Sequence, residues 1–434
     1  LAKFNFLQNA LVGGEVTPLA KGRTDFPQYR NSLEDCKNMI PFVAGGAARR
    51  PGSNYLMSAA TGDLNLNNAV DAFIPWELSG GGRYIVALGG NVPLRVINVN
   101  TNTTISLGFS DSAGLAVTAA FNAAIRKYST TEAQQAQYCQ VGDILFIVSA
   151  GHPHIVLRFN AALTSATLYS HTANFFADPK GSPGSNAVPY QMVPYLPVNL
   201  TATTIESTNT ALGPTVLVAS AALFDAGHVD TFFKLSSGAV YITAVSSSLE
   251  ATGQIVDALT TEAATATWEE CAWSTYRGWP RTVGYFNARL VYGGTTAQPD
   301  TLWFSQDGDL VEKSLSIGGT PAATDGFSVT PNNAERVSKI NWMITGNNFA
   351  FGTDREEFTV TRPDVQAGFS ITNIQITKQT SRGSKYVQAV KIEAAAYFVD
   401  AGGRRIVEFV FDERENSYRN RDLNLFADHM FAKF

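Results

Sequence analysis

One unit recurs along this chain and constrains its fold more than any single motif. It is an apolar strand, a turn of Gly or small residues, and a second strand rich in aromatic or β-branched side chains. Arg83–Asn98 reads RYIVALGGNVPLRVIN, Asp143–Phe159 DILFIVSAGHPHIVLRF and Asn287–Ser305 NARLVYGGTTAQPDTLWFS. Trp342–Thr361 reads WMITGNNFAFGTDREEFTVT and Ala395–Glu413 AAYFVDAGGRRIVEFVFDE. The units start about 50 to 60 residues apart, except for one interval of about 145. One small antiparallel sheet per repeat of that length is the pattern of a β-propeller. Helical periodicity is scarce, and its best stretch is Asp111–Tyr128. The expected fold is mainly β, with a propeller-like body.

The long interval marks an insertion over 162–267, so the expected organisation has three parts. Residues 1–161 hold an N-terminal segment and the first part of the body, 162–267 an inserted β-domain, and 268–434 the second part of the body. The insertion opens with the Pro-rich run DPKGSPGSNAVPYQMVPYLP, a loop or linker. It continues as Thr-, Ser- and Val-rich strands, including a hairpin at Phe232–Val245 turning around Ser236–Gly238. Material of this kind builds a small barrel-like domain.

Composition says what such a body meets. Hydrophobic residues make up 45% of 434, enough for a sizeable core and too many for a disordered chain. Charged residues are only 16%, against roughly 25% in an ordinary soluble domain. That shortage points to surface buried in an assembly. The net charge of −5 argues against a general grip on nucleic acid, which needs a basic face. Cys36, Cys139 and Cys271 are odd in number and widely spaced, which fits neither a disulfide framework nor a zinc site. No apolar run approaches the roughly 18 residues of a spanning helix. Leu1–Ala10 lacks the pattern of a signal peptide, and no membrane insertion is expected.

Catalytic constellations do not emerge. GxSxG, a phosphate-binding GK[ST] loop, HExxH and paired CxxC are all missing from the sequence. Gly45–Gly46 and Gly80–Gly82 read as turns. His152 and His154 could share a strand face and hold a metal, but with no third ligand nearby they read as part of an exposed turn. Ser305–Asp309 (SQDGD) resembles an Asp-box turn with altered spacing, so a structural turn is expected, with Asp307 and Asp309 as the calcium alternative. Glu356–Glu357 and the group Asp412, Glu413 and Glu415 lie among Arg355, Arg414, Arg419 and Arg421. Solvated or intersubunit salt bridges are expected there rather than acid–base catalysis. No enzyme activity, cofactor or metal is expected.

The N-terminal stretch is more specific. Gly13-Gly14-Glu15-Val16-Thr17-Pro18 is followed by Gly22-Arg23-Thr24-Asp25 with Tyr29, Asn38-Met39-Ile40-Pro41, Gly45-Gly46 and Arg49-Arg50-Pro51-Gly52. A second block comprises Trp268-Glu269-Glu270-Cys271-Ala272-Trp273-Ser274, Gly278-Trp279-Pro280, Arg289–Thr295 and Pro299–Asp309. A third has Phe351-Gly352-Thr353, Glu357-Phe358 and Gln379–Ser384. In this order the blocks resemble the tail nozzle (tail tubular or stabilisation) proteins of short-tailed bacteriophages, with the insertion left uncovered. The resemblance implies a structural virion protein, made in the host cytoplasm, that self-associates into a ring, expected to be a hexamer. Its implied neighbours are the adaptor or head-to-tail connector and the tail fibres or tailspikes. Double-stranded DNA would pass through the channel without sequence-specific binding, retained until ejection. Arg23, Asp25, Tyr29, Arg49 and Arg50 sit in a stretch poor in regular periodicity, which is expected to pack along the body or a neighbouring chain as an assembly interface. The competing class is a glycan-binding or glycoside-cleaving propeller.

Overall fold

The computed structural model describes residues 8, 10–52, 70–109, 127–159, 165–170, 193–310, 322–331, 336–345, 349–415 and 417–433. Nearly all of the Asp111–Tyr128 helix candidate and most of the Pro-rich run lie outside them. The chain forms two units, one of Leu1–Leu56 with Val390–Phe434 and one of Met57–Ala389.

In the smaller unit, β1 (Met39–Pro41) and β2 (Ala47–Arg49) pair as an isolated antiparallel hairpin. The larger unit opens with β3 (Ala72–Glu77), β4 (Arg83–Leu88), β5 (Arg95–Asn98) and β6 (Thr103–Phe109), a four-stranded meander. A short helix, α1 (Thr130–Gln134), starts on a Ser129–Glu132 capping box. The second meander is β7 (Gln137–Val141), β8 (Ile144–Ser149), β9 (His152–Phe159) and β10 (Ser165–Ser170). Its last strand pairs in parallel with β6, so the first two meanders share one eight-stranded sheet.

The inserted sheet contains β11 (Ile205–Ser207), β12 (Gly213–Ala219), β13 (Phe232–Leu235), β14 (Gly238–Ser247), β15 (Glu250–Asp257) and β16 (Trp268–Glu270), in the order β11-β12-β15-β14-β13-β16. It curls on itself: Ile205 exchanges two backbone hydrogen bonds of 2.9 Å with Thr265, just ahead of β16. The result is barrel-like. The β13–β14 turn has two residues, Ser236 and Ser237, both at positive φ. That is the twist a two-residue hairpin needs.

Two more meanders follow in this unit. One is β17 (Thr282–Phe286), β18 (Arg289–Gly293), β19 (Leu302–Phe304) and β20 (Phe327–Val329). The next is β21 (Ile340–Ile344), β22 (Phe349–Thr353), β23 (Glu357–Thr361) and β24 (Gln375–Thr380). The smaller unit ends with β25 (Val390–Ile392), β26 (Ala395–Val399), β27 (Ile406–Asp412) and β28 (Ser417–Asp422). Among the described residues there are thus five four-stranded meanders, and each recurring sequence unit contains two successive strands of one of them. The fold is mainly β, propeller-like, with an inserted barrel-like sheet.

Stacking of the meanders explains why their strands read as continuous apolar runs. All six residues of β8 are buried. Leu145 and Ile147 point into a core shared with Trp76, Val86 and Val96 of the first meander. Ile144, Phe146 and Val148 point the other way, into a core with Trp273, Leu290, Tyr292 and Trp303. In the third meander, Val291 in turn faces a core with Phe351, Phe358 and Val360 of the fourth. A sheet covered on both faces has no solvent side, so alternation disappears. At roughly 1.5–3 kcal/mol for each large side chain fully buried, these shared layers are the main force holding neighbouring meanders together.

Candidate functional site

Polar joints lie where the motif residues fall. Arg289 of β18 is buried, and its guanidinium donates to four backbone carbonyls: Ser305 (2.6 Å), Asp325 (2.7 Å), Ala323 (2.8 Å) and Phe369 (3.1 Å). Only a planar fork of donors can reach four acceptors at once, which is why lysine would not serve. Burial pulls its proton affinity down from the usual arginine range, and nearby Asp307 and Asp325 oppose that.

The third block forms a second joint. Glu357 is fully buried in β23 and accepts from the Gly383 N–H (2.8 Å), the Arg382 N–H (3.2 Å) and the Thr380 hydroxyl. Gly383 sits at φ +73°, and a Cβ there would lie 2.4 Å from the Asp354 carbonyl oxygen. Thr353 donates to the Glu356 carbonyl (3.0 Å), and Ser384 donates from its hydroxyl to the Thr353 carbonyl (2.7 Å). Gly352 leaves room for the Trp342 indole, whose ring would be 2.3 Å from an added Cβ.

From this turn the network crosses to other meanders. Asn341 donates to the Ser384 carbonyl (2.7 Å) and accepts from Arg281 (3.0 Å), while Gln137 of β7 donates to the Asn341 carbonyl (2.5 Å). Arg281 lies 4.0 Å over the Tyr386 ring, and the Tyr386 hydroxyl donates to the Arg281 carbonyl (2.7 Å). Gln388 and the Tyr138 backbone exchange two bonds of 3.0 and 3.1 Å. The first strands of the second, third and fourth meanders, β7, β17 and β21, pack side by side here.

The second block anchors the insertion. Glu270 is buried and accepts from Arg277 Nε (2.7 Å) and Nη2 (2.5 Å) and from His228 Nε2 (2.9 Å). The Asp225 N–H donates to His228 Nδ1 (2.9 Å), which fixes the neutral tautomer with its proton on Nε2. Burial raises the Glu270 carboxyl, but the bonds from Arg277 and His228 outweigh it and hold the group below its ordinary range. Lys234, also buried, lies 4.2 Å over the Tyr195 ring and 3.9 Å from Glu269.

In the smaller unit, the N-terminal segment packs on the C-terminal one. Glu15 accepts from His429 Nε2 (2.8 Å) and the Cys36 N–H (2.9 Å). The Thr17 N–H donates to the Phe426 carbonyl (2.7 Å), and the Phe26 and Phe426 rings lie 4.5 Å apart. The His429 bond, aided by the Cys36 N–H, holds the Glu15 carboxyl below its ordinary range. The predicted interface residues lie on this unit's surface. Arg23 and Asp25 form a two-pronged exposed ion pair (2.8 and 2.7 Å), and the Tyr29 hydroxyl accepts from the Gly22 N–H (3.0 Å). Arg49 and Arg50 are exposed at the end of β2, with Arg50 Nε donating to Asn38 (3.3 Å). Arg23, Asp25 and Tyr29 share one turn region; Arg49 and Arg50 belong to the separate hairpin.

Two sequence expectations are corrected. His152 and His154 do not sit in an exposed turn: both are buried on β9. His152 stacks on Tyr128 (3.8 Å between ring centres), and His154 meets Trp273 and Tyr292 edge-on (5.2 and 5.4 Å). Glu356 and Glu357 are not solvated either. Glu356 is buried against Lys378 (2.5 Å), and Glu357 closes the turn described above. By contrast, Arg419 pairs with Asp412 (3.4 Å) and with Glu415 on a solvent-facing hairpin, as expected. The Asp307–Gly308 turn is held by backbone bonds to Thr324 and Ala288 (2.8 and 3.0 Å), with Gly308 at φ +70°. Among the described residues no three His, Cys, Asp or Glu side chains gather as a metal site.

No protein-family model matches the chain, and no curated protein does. Among solved structures, a chain of the "Crystal Structure of Mitotic Checkpoint Complex" aligns over 88% of this chain and 79% of its own, at 10% identity and a TM-score of 0.29. Likeness at that level carries no inference about function.

Proposed function

We propose that this chain is a structural virion protein, the ring-forming tail nozzle of a short-tailed bacteriophage. It extends the DNA channel below the adaptor, retains packaged DNA and lets it pass at ejection. The observation that carries this reading is the ordered series of motif blocks, in which several polar residues are structural joints while Arg23, Asp25, Arg49 and Arg50 lie at the surface. Glu15 ties the two ends of the chain together, Arg289 holds four carbonyls, and Glu357 closes the turn that feeds the network between meanders.

Surface chemistry supports an assembly. Among the described residues, 13 of the 24 large apolar side chains left exposed belong to the smaller unit, which holds under a quarter of the chain. An excess of exposed apolar side chains in one unit supports contact with other protein. The low charge content and net charge of −5 suit a channel protein that must not grip DNA. Neither Glu356 nor Glu357 is open to a glycan, which removes that pair as an acid–base site. Light scattering and electron microscopy of the purified chain test the proposal. Closed rings with a central channel are the expected result; a monomer at tens of micromolar, with no rings on grids, refutes it.

A further inference from the structure

Charge is divided unevenly along this chain. The insertion, 162–267, holds seven acids and two bases, so it carries the whole net charge of −5 and leaves the rest of the chain neutral. Of its bases, Lys234 is buried, and Lys180 is matched by Asp178 two residues before it. Glu206 of β11 and Glu250 of β15 are both exposed and stand in one row, because each pairs with Val218 of β12. Residues opposed in an antiparallel pair share a face, and two strand spacings put these carboxylates about 10 Å apart. Leu249, 45% exposed, adjoins them.

One end of the fourth meander has the opposite character. There β21 and β23 start while β22 and β24 end, which brings together segments 336–339, 354–357 and 378–385. The Asp354 N–H donates to the Lys339 carbonyl (3.0 Å), the Lys339 N–H to the Asp354 carboxylate (3.0 Å) and the Ser384 N–H to the Thr353 carbonyl (2.9 Å). The three segments hold six bases and three acids, and adding Glu335, just ahead of them, still leaves a formal +2. Two of the acids are buried and committed, Glu356 to Lys378 and Glu357 to the turn at Gly383. The surface shows Lys339, Arg355 and Lys385, all exposed, with Val337 71% exposed beside them.

Charge selects the occupant of that basic surface. Among the described residues, neither its three exposed bases nor Glu206 and Glu250 take part in an ion pair within the chain. Opposite potentials left unpaired on two surfaces steer those surfaces together and fix their register. Each strip also has an exposed apolar residue beside it, and apolar contact within a polar rim is the make-up of a protein interface. The strips are different patches of one molecule, so their contact between copies is head-to-tail. Such a contact generates a ring when its rotation closes.

Resting on the ring reading above, we propose that the Lys339–Arg355–Lys385 surface of one copy receives the acidic insertion of the next, through Glu206 and Glu250. The test uses the full chain, with association followed by light scattering against concentration. One variant carries Arg355→Glu and Lys385→Glu, a second Glu206→Lys and Glu250→Lys, and a third all four changes. All four positions are exposed, and circular dichroism checks that each variant keeps its sheet content. The expected result is association weakened about tenfold or more in the first two variants and restored in the third, where every charge again meets its opposite. Wild-type association should also weaken as salt is raised, a check that needs no variant. Association that ignores both salt and the reversals, or that the four-change chain does not recover, overturns this contact while leaving the ring reading standing. So does a short DNA duplex that binds the wild type and not the first variant while association is unchanged, since the bases then serve phosphate. A wild-type chain that never associates overturns both.

Discussion

Replacing Glu357 removes one acceptor from three donors at once. In Glu357→Ala the N–H groups of Gly383 and Arg382 and the Thr380 hydroxyl lose their partner in a buried turn. Each buried donor left unsatisfied costs about 1–3 kcal/mol. Relaxation is restricted, because Gly383 is held at φ +73° within 2.4 Å, measured from its ideal Cβ, of the Asp354 carbonyl oxygen. Water can reach some of the freed groups, so the total should fall near 3–5 kcal/mol rather than at the sum of the maxima. Glu357→Gln keeps one carbonyl acceptor but turns an amide N–H₂ toward the remaining donors, for about 1–2 kcal/mol. Urea unfolding followed by tryptophan fluorescence reports the change, since Trp342 lies against Gly352 in the adjoining strands. Hydrogen exchange at the Arg382 and Gly383 amides gives the local view and should accelerate in the Ala variant. The exposed Glu413→Ala serves as control. If Glu357→Ala shifts the midpoint no more than Glu413→Ala does, the carboxylate is not what closes this turn.

Arg289→Lys should cost about 2–3 kcal/mol in the same assay, because an ammonium cannot satisfy the four carbonyls the guanidinium now serves. Ala288→Gly should stabilise by roughly 0.5–1 kcal/mol: Asn287 and Ala288 form a two-residue turn at φ 51° and 61°, and relief of the left-handed strain at Ala288 exceeds the added freedom of glycine when unfolded. Acidification should loosen the insertion. Glu270 has a folded pKa below its unfolded value, so its stabilisation is complete above that unfolded value and fades as pH falls through the folded one. Amide exchange around Asp225–His228, compared at neutral and acid pH, reads this, and Glu270→Gln should remove most of the difference. Changing Arg49 and Arg50 together to Ala should weaken ring assembly with the monomer still folded; unchanged assembly by light scattering would return both residues to ordinary solvated surface.

The sequence by itself determined the elements and their grouping. Short apolar, aromatic or β-branched runs and turn residues such as Asn91, Gly308 and the Ser236–Ser237 pair act over a few residues, so strands and hairpins were legible. Five recurring units became five meanders for the same local reason. Only tertiary structure decided what covers each face. His152 and His154 looked exposed because Pro153 between them reads as a turn, yet sheets on both sides of β9 bury the pair among aromatic rings. Glu357 looked solvated because the donors that claim it arrive 23 to 26 residues later. Glu15 meets His429 across 414 residues of chain, a contact that no local pattern encodes. Burial and pairing of charge depend on which distant segments converge, and that convergence is set by the packing of whole sheets against one another.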